Sequence, residues 1–154
     1  MIDTISSTAE REIRTERIFD APRELVFSAW TDPVILAQWF GPDGFTTTTH
    51  EIDMVPGGAW RFTMRGPDGV EFPNKAIYTE IVPPEKIVFE HGEDSDEFLP
   101  LDIVTALFEE FEGKTKLTFT QLFASKEQRD EIAVFAVEGN RQTFDRLEAY
   151  LASR

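Results

Sequence analysis

Cysteine is missing from all 154 residues. Its absence excludes disulfide staples, thiolate metal sites and a cysteine nucleophile. Histidine is scarce, with only His50 and His91. Two imidazoles without a thiolate make a poor metal set, and no third ligand stands at a fitting spacing, so neither a metal nor a cofactor is expected. Basic charge is also short: 15 Lys and Arg stand against 29 Asp and Glu, a formal net charge of −14. A surface this acidic repels nucleic-acid phosphates and anionic lipid heads, which argues against both as partners. No apolar run approaches the length of a membrane span. The opening "MIDTISSTAEREIR" has neither a basic start nor an apolar stretch, so no signal peptide is read and a cytoplasmic protein is expected. There is no Ser-His-Asp order, phosphate loop, dinucleotide fingerprint or zinc motif.

What the chain does have is phenylalanine. Fourteen Phe against two Tyr and three Trp is a bias toward rings without a polar handle. The length suggests one domain over 1–154, with 1–11 as a flexible N-terminal extension. A chain of this size buries a real core without staples.

The order of elements follows from periodicity and turn residues. "EIRTERIF" (Glu12 to Phe19) alternates as a first strand. Two short helices follow. Asp20 with Pro22 opens one, and Asp32 with Pro33 opens the other. "GPDG" (Gly41 to Gly44) ends the second. Six strands come next: Thr46 to Met54, Ala59 to Arg65, Lys75 to Val82, Lys86 to His91, Asp102 to Phe111 and Lys114 to Phe123. "GEDSDE" (Gly92 to Glu97) reads as a solvated loop. Ser125 and Gln128 form a capping box for one long last helix. Its expected buried stripe is Ile132, Phe135, Ala136, Gly139, Thr143, Phe144, Leu147 and Leu151. This order predicts an α+β fold with an antiparallel sheet, and a long helix against a curved sheet leaves room for a cavity.

Charge pairing sorts the faces. Glu51 and Asp53 share one face of the second strand, and Arg61 and Arg65 share one face of the third. Opposite charges suit the outer side of an antiparallel pair. The inner faces then carry Thr46, Thr48, His50, Ile52 and Met54, opposite Trp60, Phe62 and Met64. Ile87, Phe89 and His91 follow on the fifth strand. The Glu112-Gly113 turn sets Phe108 opposite Leu117 inside, with Phe119 and Gln121 further along. On the fourth strand Tyr78 competes with Ile77 and Ile81 for the inner side. A one-residue slip would reverse any of these assignments.

The segments "RIFDAPRELVFSAWTDPVILAQWFGP", "EIDMVPGGAWRFTMRGPDG", "YTEIVPPEKIVFEH", "TKLTFTQLF" and "EGNRQTFDRLEAYLAS" resemble the START-like helix-grip superfamily, also called SRPBCC or birch-pollen-allergen-like. Within it the chain is similar to the bacterial family related to the C-terminal domain of the heat shock protein 90 ATPase activator. The resemblance implies a curved antiparallel sheet gripping a C-terminal helix, and a cavity for a hydrophobic small molecule. One departure stands out: members often carry Trp just after the Gly of the last helix, and here Asn140 follows Gly139.

Three functional readings result. In the first, a hydrophobic, aromatic or polycyclic ligand is walled by Trp39, Trp60, Phe62, Met64, Phe108, Phe119 and Phe135 and oriented by His50, Tyr78 and His91. Each of these residues is also acceptable as ordinary core or surface. In the second, suggested by the family resemblance, the domain is a co-chaperone-like partner of a chaperone ATPase. In the third, a cyclase, dehydratase or hydrolase uses the same cavity, with His50, His91 and Tyr78 as the acid/base candidates. Phe98 and Leu99 are candidates for a homodimer contact or a lid.

Overall fold

The structure, a computed structural model, describes residues 10–154. Of the expected extension, residues 1–9 lie outside the described residues, and the Arg11 guanidinium donates to the Phe123 carbonyl at 2.9 Å. The elements run β1 (Glu12–Phe19), α1 (Arg23–Thr31), α2 (Pro33–Trp39), β2 (Thr46–Ile52), β3 (Ala59–Arg65), β4 (Glu71–Val82), β5 (Lys86–Glu93), β6 (Asp102–Phe111), β7 (Lys114–Phe123) and α3 (Lys126–Ala152).

All seven strands form one antiparallel sheet in the order β1-β7-β6-β5-β4-β3-β2. The topology explains the two short helices. They carry the chain from β1 at one edge to β2 at the other, and a simple meander then returns it to β1. The long helix α3 packs against β1 and β7. This is the α+β helix-grip arrangement.

The local chemistry accounts for most boundaries. The Asp32 carboxylate accepts from the backbone N–H groups of Val34 and Ile35, with Pro33 already in helical geometry, a cap worth about 1 kcal/mol. Ser125 Oγ accepts from the Gln128 N–H at 3.1 Å and starts α3. Glu112 and Gly113 both take positive φ, +51° and +81°, as a two-residue hairpin turn requires. It places Phe108 opposite Leu117 and Glu109 opposite Lys116.

Several details differ from the sequence reading, beginning with β2, which ends at Ile52 rather than Met54. Asp20 does not cap α1: its N-cap is Pro22, and no side chain makes a capping bond there. Strand β4 begins at Glu71 rather than Lys75, because the turn at Gly66 to Gly69 is tight enough for pairing to start at once. Strand β5 runs on to Glu93, so the expected loop begins later, and its Asp94 binds Arg61 at 3.1 Å. The stripe of α3 is fully buried at Thr143, Phe144 and Leu147; Leu151 packs half-buried on the core, and Ile132, Ala136 and Gly139 are half-buried at the cavity. Toward its N-terminus Phe135 is 75% exposed, while Arg129 Nε still donates to the Glu12 carbonyl of β1 at 2.9 Å.

Two β-bulges set the inner face. In β2 the register shifts between Thr49 and Glu51, leaving His50 as the extra residue. Thr47 and Thr49 therefore point inward, and Ile52 packs on the core beyond the bulge. Thr46, Thr48 and His50, expected inside, are exposed. In β4 the shift falls between Tyr78 and Glu80, so Tyr78 and Ile81 both face the core despite their odd spacing.

Candidate functional site

The expected wall of aromatic residues divides into two layers. The deeper layer is solid core. Trp39 is fully buried, its ring edge-on to Trp30, and its indole N–H donates to the Ala29 carbonyl at 3.0 Å. Trp60 donates to Thr49 Oγ1 at 3.1 Å and stacks on Phe62 with ring centroids 3.8 Å apart. Phe108 fits edge-on between Phe27 and Trp30. Tyr78 packs against Phe89, and burial pushes its phenol well above the usual tyrosine range. Trp39, Trp60, Tyr78 and Phe108 therefore build the floor beneath the cavity without lining it.

The second layer lines a cavity of about 320 Å³. Phe62, Met64, His91 and Phe119 reach it from the sheet, and Phe135 from α3. Phe89, expected on the inner face, lines the cavity too, and sequence reasoning missed Trp30 and Val104 on the inner walls and the Phe40-Gly41-Pro42 turn at the rim. Ile132, Ala136, Gly139 and Asn140 of α3 close the remaining side. His50 is elsewhere: the bulge turns its ring to the outer face, where Nε2 lies 2.7 Å from Thr63 Oγ1. On that same face Arg61 pairs with Glu51 at 3.5 Å. Phe98 is half-buried under the Lys75 ammonium, and Leu99 is 78% exposed.

Across this apolar chamber runs a row of polar side chains, one from each of four neighbouring strands. Asn74 Oδ1 on β4 lies 2.7 Å from His91 Nε2 on β5. His91 Nδ1 lies 2.8 Å from Asp102 Oδ1 on β6. Gln121 on β7 donates to Asp102 Oδ2 at 3.3 Å. Asn140 on α3 then donates to Gln121 Oε1 at 2.9 Å and to Thr15 Oγ1 of β1 at 3.2 Å. His91 and Asp102 sit directly opposite in the β5–β6 register. The Asn74–His91 and Asp102–Gln121 steps are diagonal neighbours, within reach because adjacent strands lie about 4.8 Å apart, and the Asn140 steps cross from α3 to β7 and β1.

The row obeys hydrogen-bond arithmetic. Asn74 gives one N–H to the Phe72 carbonyl at 2.8 Å, which fixes its carbonyl oxygen toward His91. An amide oxygen only accepts, so His91 Nε2 carries a proton. The Asp102 side chain is 1% exposed, and burial of a carboxylate is tolerated only with such partners. Among the described residues, the Trp30 indole N–H is buried with no acceptor. No group of three or more metal-ligating side chains lies together among the described residues.

A model of the family described as activator of Hsp90 ATPase homolog 1-like protein matches residues 20–152. No curated protein matches the chain. Solved structures do. Protein Ms6760 from Mycobacterium smegmatis is similar at 25% identity, covering 95% of this chain and 94% of that one, with a TM-score of 0.85. A protein from Arthrobacter aurescens is similar at 26% identity, covering 95% and 88%, also with a TM-score of 0.85. A protein from Staphylococcus epidermidis is similar at 27% identity, covering 93% and 90%, with a TM-score of 0.81.

Proposed function

The chain belongs to the activator of Hsp90 ATPase homolog 1-like family, and from that premise we propose that it is a small-molecule binding protein. A hydrophobic, aromatic or polycyclic molecule is held between the sheet and α3. The observation that carries this reading is the void itself: about 320 Å³, walled by apolar side chains and crossed by one polar row. Ligand sites have this composition, at volumes of about 300–1,000 Å³. The volume is at the small end, which favours compact ring systems.

The state of His91 supports holding over turnover. Both ring nitrogens are engaged, by Asp102 and Asn74, so no nitrogen is free to exchange a proton with a bound molecule. A hydrolase or cyclase in this cavity would first have to release Asn74.

The test is the neutral fluorescent probe N-phenyl-1-naphthylamine, whose emission rises in apolar surroundings. Wild-type protein should give a saturable rise. Ala136 lines the cavity at the edge of α3, and Ala136→Trp should fill the void and abolish the rise while leaving the circular dichroism spectrum intact. Equal binding by both proteins would remove the cavity from consideration.

A second reading has one observation in its favour. The family description names an activator of a chaperone ATPase, and α3 exposes Val134, Phe135 and Val137 on a single stretch. A pull-down with a purified Hsp90-type chaperone, scored by its ATPase rate, tests it; no capture and no rate change would eliminate it.

A further inference from the structure

We propose that the cavity selects uncharged aromatic molecules bearing a hydroxyl group, over both the carboxylate and the ammonium analogues of the same ring. The inference rests on the reading of the cavity as a binding site and names the chemistry of its ligand.

The first support is the charge of the lining. The chain carries 29 acidic and 15 basic side chains, yet among the described residues no Asp, Glu, Lys or Arg lines the cavity. The one ionisable lining residue among them is His91, and its charge is internally balanced. His91 Nε2 carries a proton because it faces Asn74 Oδ1. The contact between Nδ1 and the Asp102 oxygen, 2.8 Å, holds one further proton. Whether that proton sits on nitrogen or oxygen, the pair sums to zero. A charged ligand therefore meets no counter-charge in the chamber, and shedding its hydration there is costly.

The second support is the hydrogen-bonding capacity left over. Asp102 is closed, since His91 and Gln121 occupy its two oxygens. Three lining amides remain partly open: Asn74 keeps a second N–H beyond the one given to Phe72, and Gln121 and Asn140 have capacity left as well. Gln121 gives one N–H to Asp102 and keeps its second. Asn140 uses its amide nitrogen on Thr15 and Gln121, and its carbonyl oxygen has no partner among the described residues. The Gln121 and Asn140 amides touch at 2.9 Å, so a spare donor and a spare acceptor belong to one hydrogen-bonded pair of side chains. A hydroxyl group, both donor and acceptor, complements that pair. A carboxylate would only accept, and an ammonium would only donate. Among the described residues, the Trp30 indole N–H also lines the cavity without an acceptor, again an uncharged donor.

The experiment is calorimetric titration of the full chain with four probes of one ring system: naphthalene, 2-naphthol, 2-naphthoate and 2-naphthylmethylammonium. High salt removes the long-range pull and push of the −14 net charge. Naphthol should bind about five- to tenfold more tightly than naphthalene, and both charged probes more weakly than naphthalene. Asn140→Leu should abolish the naphthol advantage, read as the ratio of naphthol to naphthalene affinity within the variant itself. A charged probe binding more tightly than naphthalene would overturn the selectivity and leave the cavity as a binding site. A naphthol advantage that survives in Asn140→Leu would overturn the role of the amide pair. No binding of naphthalene itself would overturn the binding-site reading and the selectivity with it.

Discussion

His91 Nδ1 and Asp102 Oδ1 face each other at 2.8 Å across β5 and β6, and the carboxylate they share is closed off from solvent at 1% exposure. This pair is the hub of the polar row, since Asn74, Gln121 and Asn140 all connect through it. Removing the carboxylate leaves His91 Nδ1 and the Gln121 amide without an acceptor. Asp102→Ala should therefore cost about 3 kcal/mol. The cost in the His91→Ala background should be smaller by about 1–2 kcal/mol, because the two groups interact directly. Urea unfolding of the two single variants and the double variant measures this coupling. Strictly additive losses would show that the contact contributes nothing.

Arg146 makes most of the bonds that hold the cavity rim to α3, beside one from the Asp43 N–H to Gln142 Oε1 at 3.1 Å. Arg146 on α3 donates through Nη1 to the carbonyls of Gly41, Pro42 and Phe45, at 2.8, 3.1 and 3.2 Å, and through Nη2 to Gln38. It fastens the turn that carries Gly41 and Pro42 against the helix. Arg146→Ala should destabilise the fold by about 2 kcal/mol and weaken binding of N-phenyl-1-naphthylamine. Arg146→Lys should recover less than half, because a point-like ammonium cannot span a fan of carbonyls. Chemical denaturation and probe titration give the two readouts.

Two adjacent glycines at the β2–β3 turn should respond differently to a methyl group. Gly57 has φ +87° with nothing within 4 Å of an added Cβ, so Gly57→Ala meets only backbone strain, about 1–2 kcal/mol. A Cβ on Gly58 would lie 2.0 Å from the Asp53 carbonyl oxygen. Gly58→Ala must move the backbone and should cost about 3 kcal/mol or more. Thermal unfolding of the two variants checks the order. Equal losses would contradict the close approach.

Tyr78 makes an alkaline prediction. Burial raises its phenol above the usual range, and a group whose ionisation is disfavoured by folding contributes stability below the unfolded-state value, near pH 10. That contribution is lost as pH rises above it. In Tyr150→Phe, which leaves Tyr78 as the one tyrosine, phenolate absorbance should appear together with unfolding rather than before it. Simultaneous far-ultraviolet circular dichroism distinguishes the two cases.

Much of this fold was legible in the residues, and the exceptions have physical causes. Proline and aspartate marked both short helices, although Asp20 gave a false cap because Pro22 already sets the chain entering α1. Phe108 and Leu117 could be paired because a two-residue turn leaves no freedom of register. Trp60 and Phe62 share a face, as alternation implies, but alternation gives no depth: Phe62 meets the void while Trp60 lies stacked behind it. His50 was misplaced because a bulge adds one residue without any mark in "TTTTHEI". Asp102 was the most consequential omission, and a signal for it existed. It lies three alternate steps before the inward Phe108, so the same parity that placed Phe108 inside places a carboxylate inside too. Asn140 stood out as a departure from the family pattern, but its bond to Gln121 depends on where α3 crosses β7, which no local pattern specifies.

The most direct test of the account is native mass spectrometry of freshly purified wild-type protein beside Ala136→Trp, followed by organic extraction of both. The account predicts a defined small, ring-containing, uncharged adduct on the wild-type chain and none on the variant. An adduct carried equally by both proteins, or a wild-type chain that stays free of ligand even when supplied with naphthol, would contradict it.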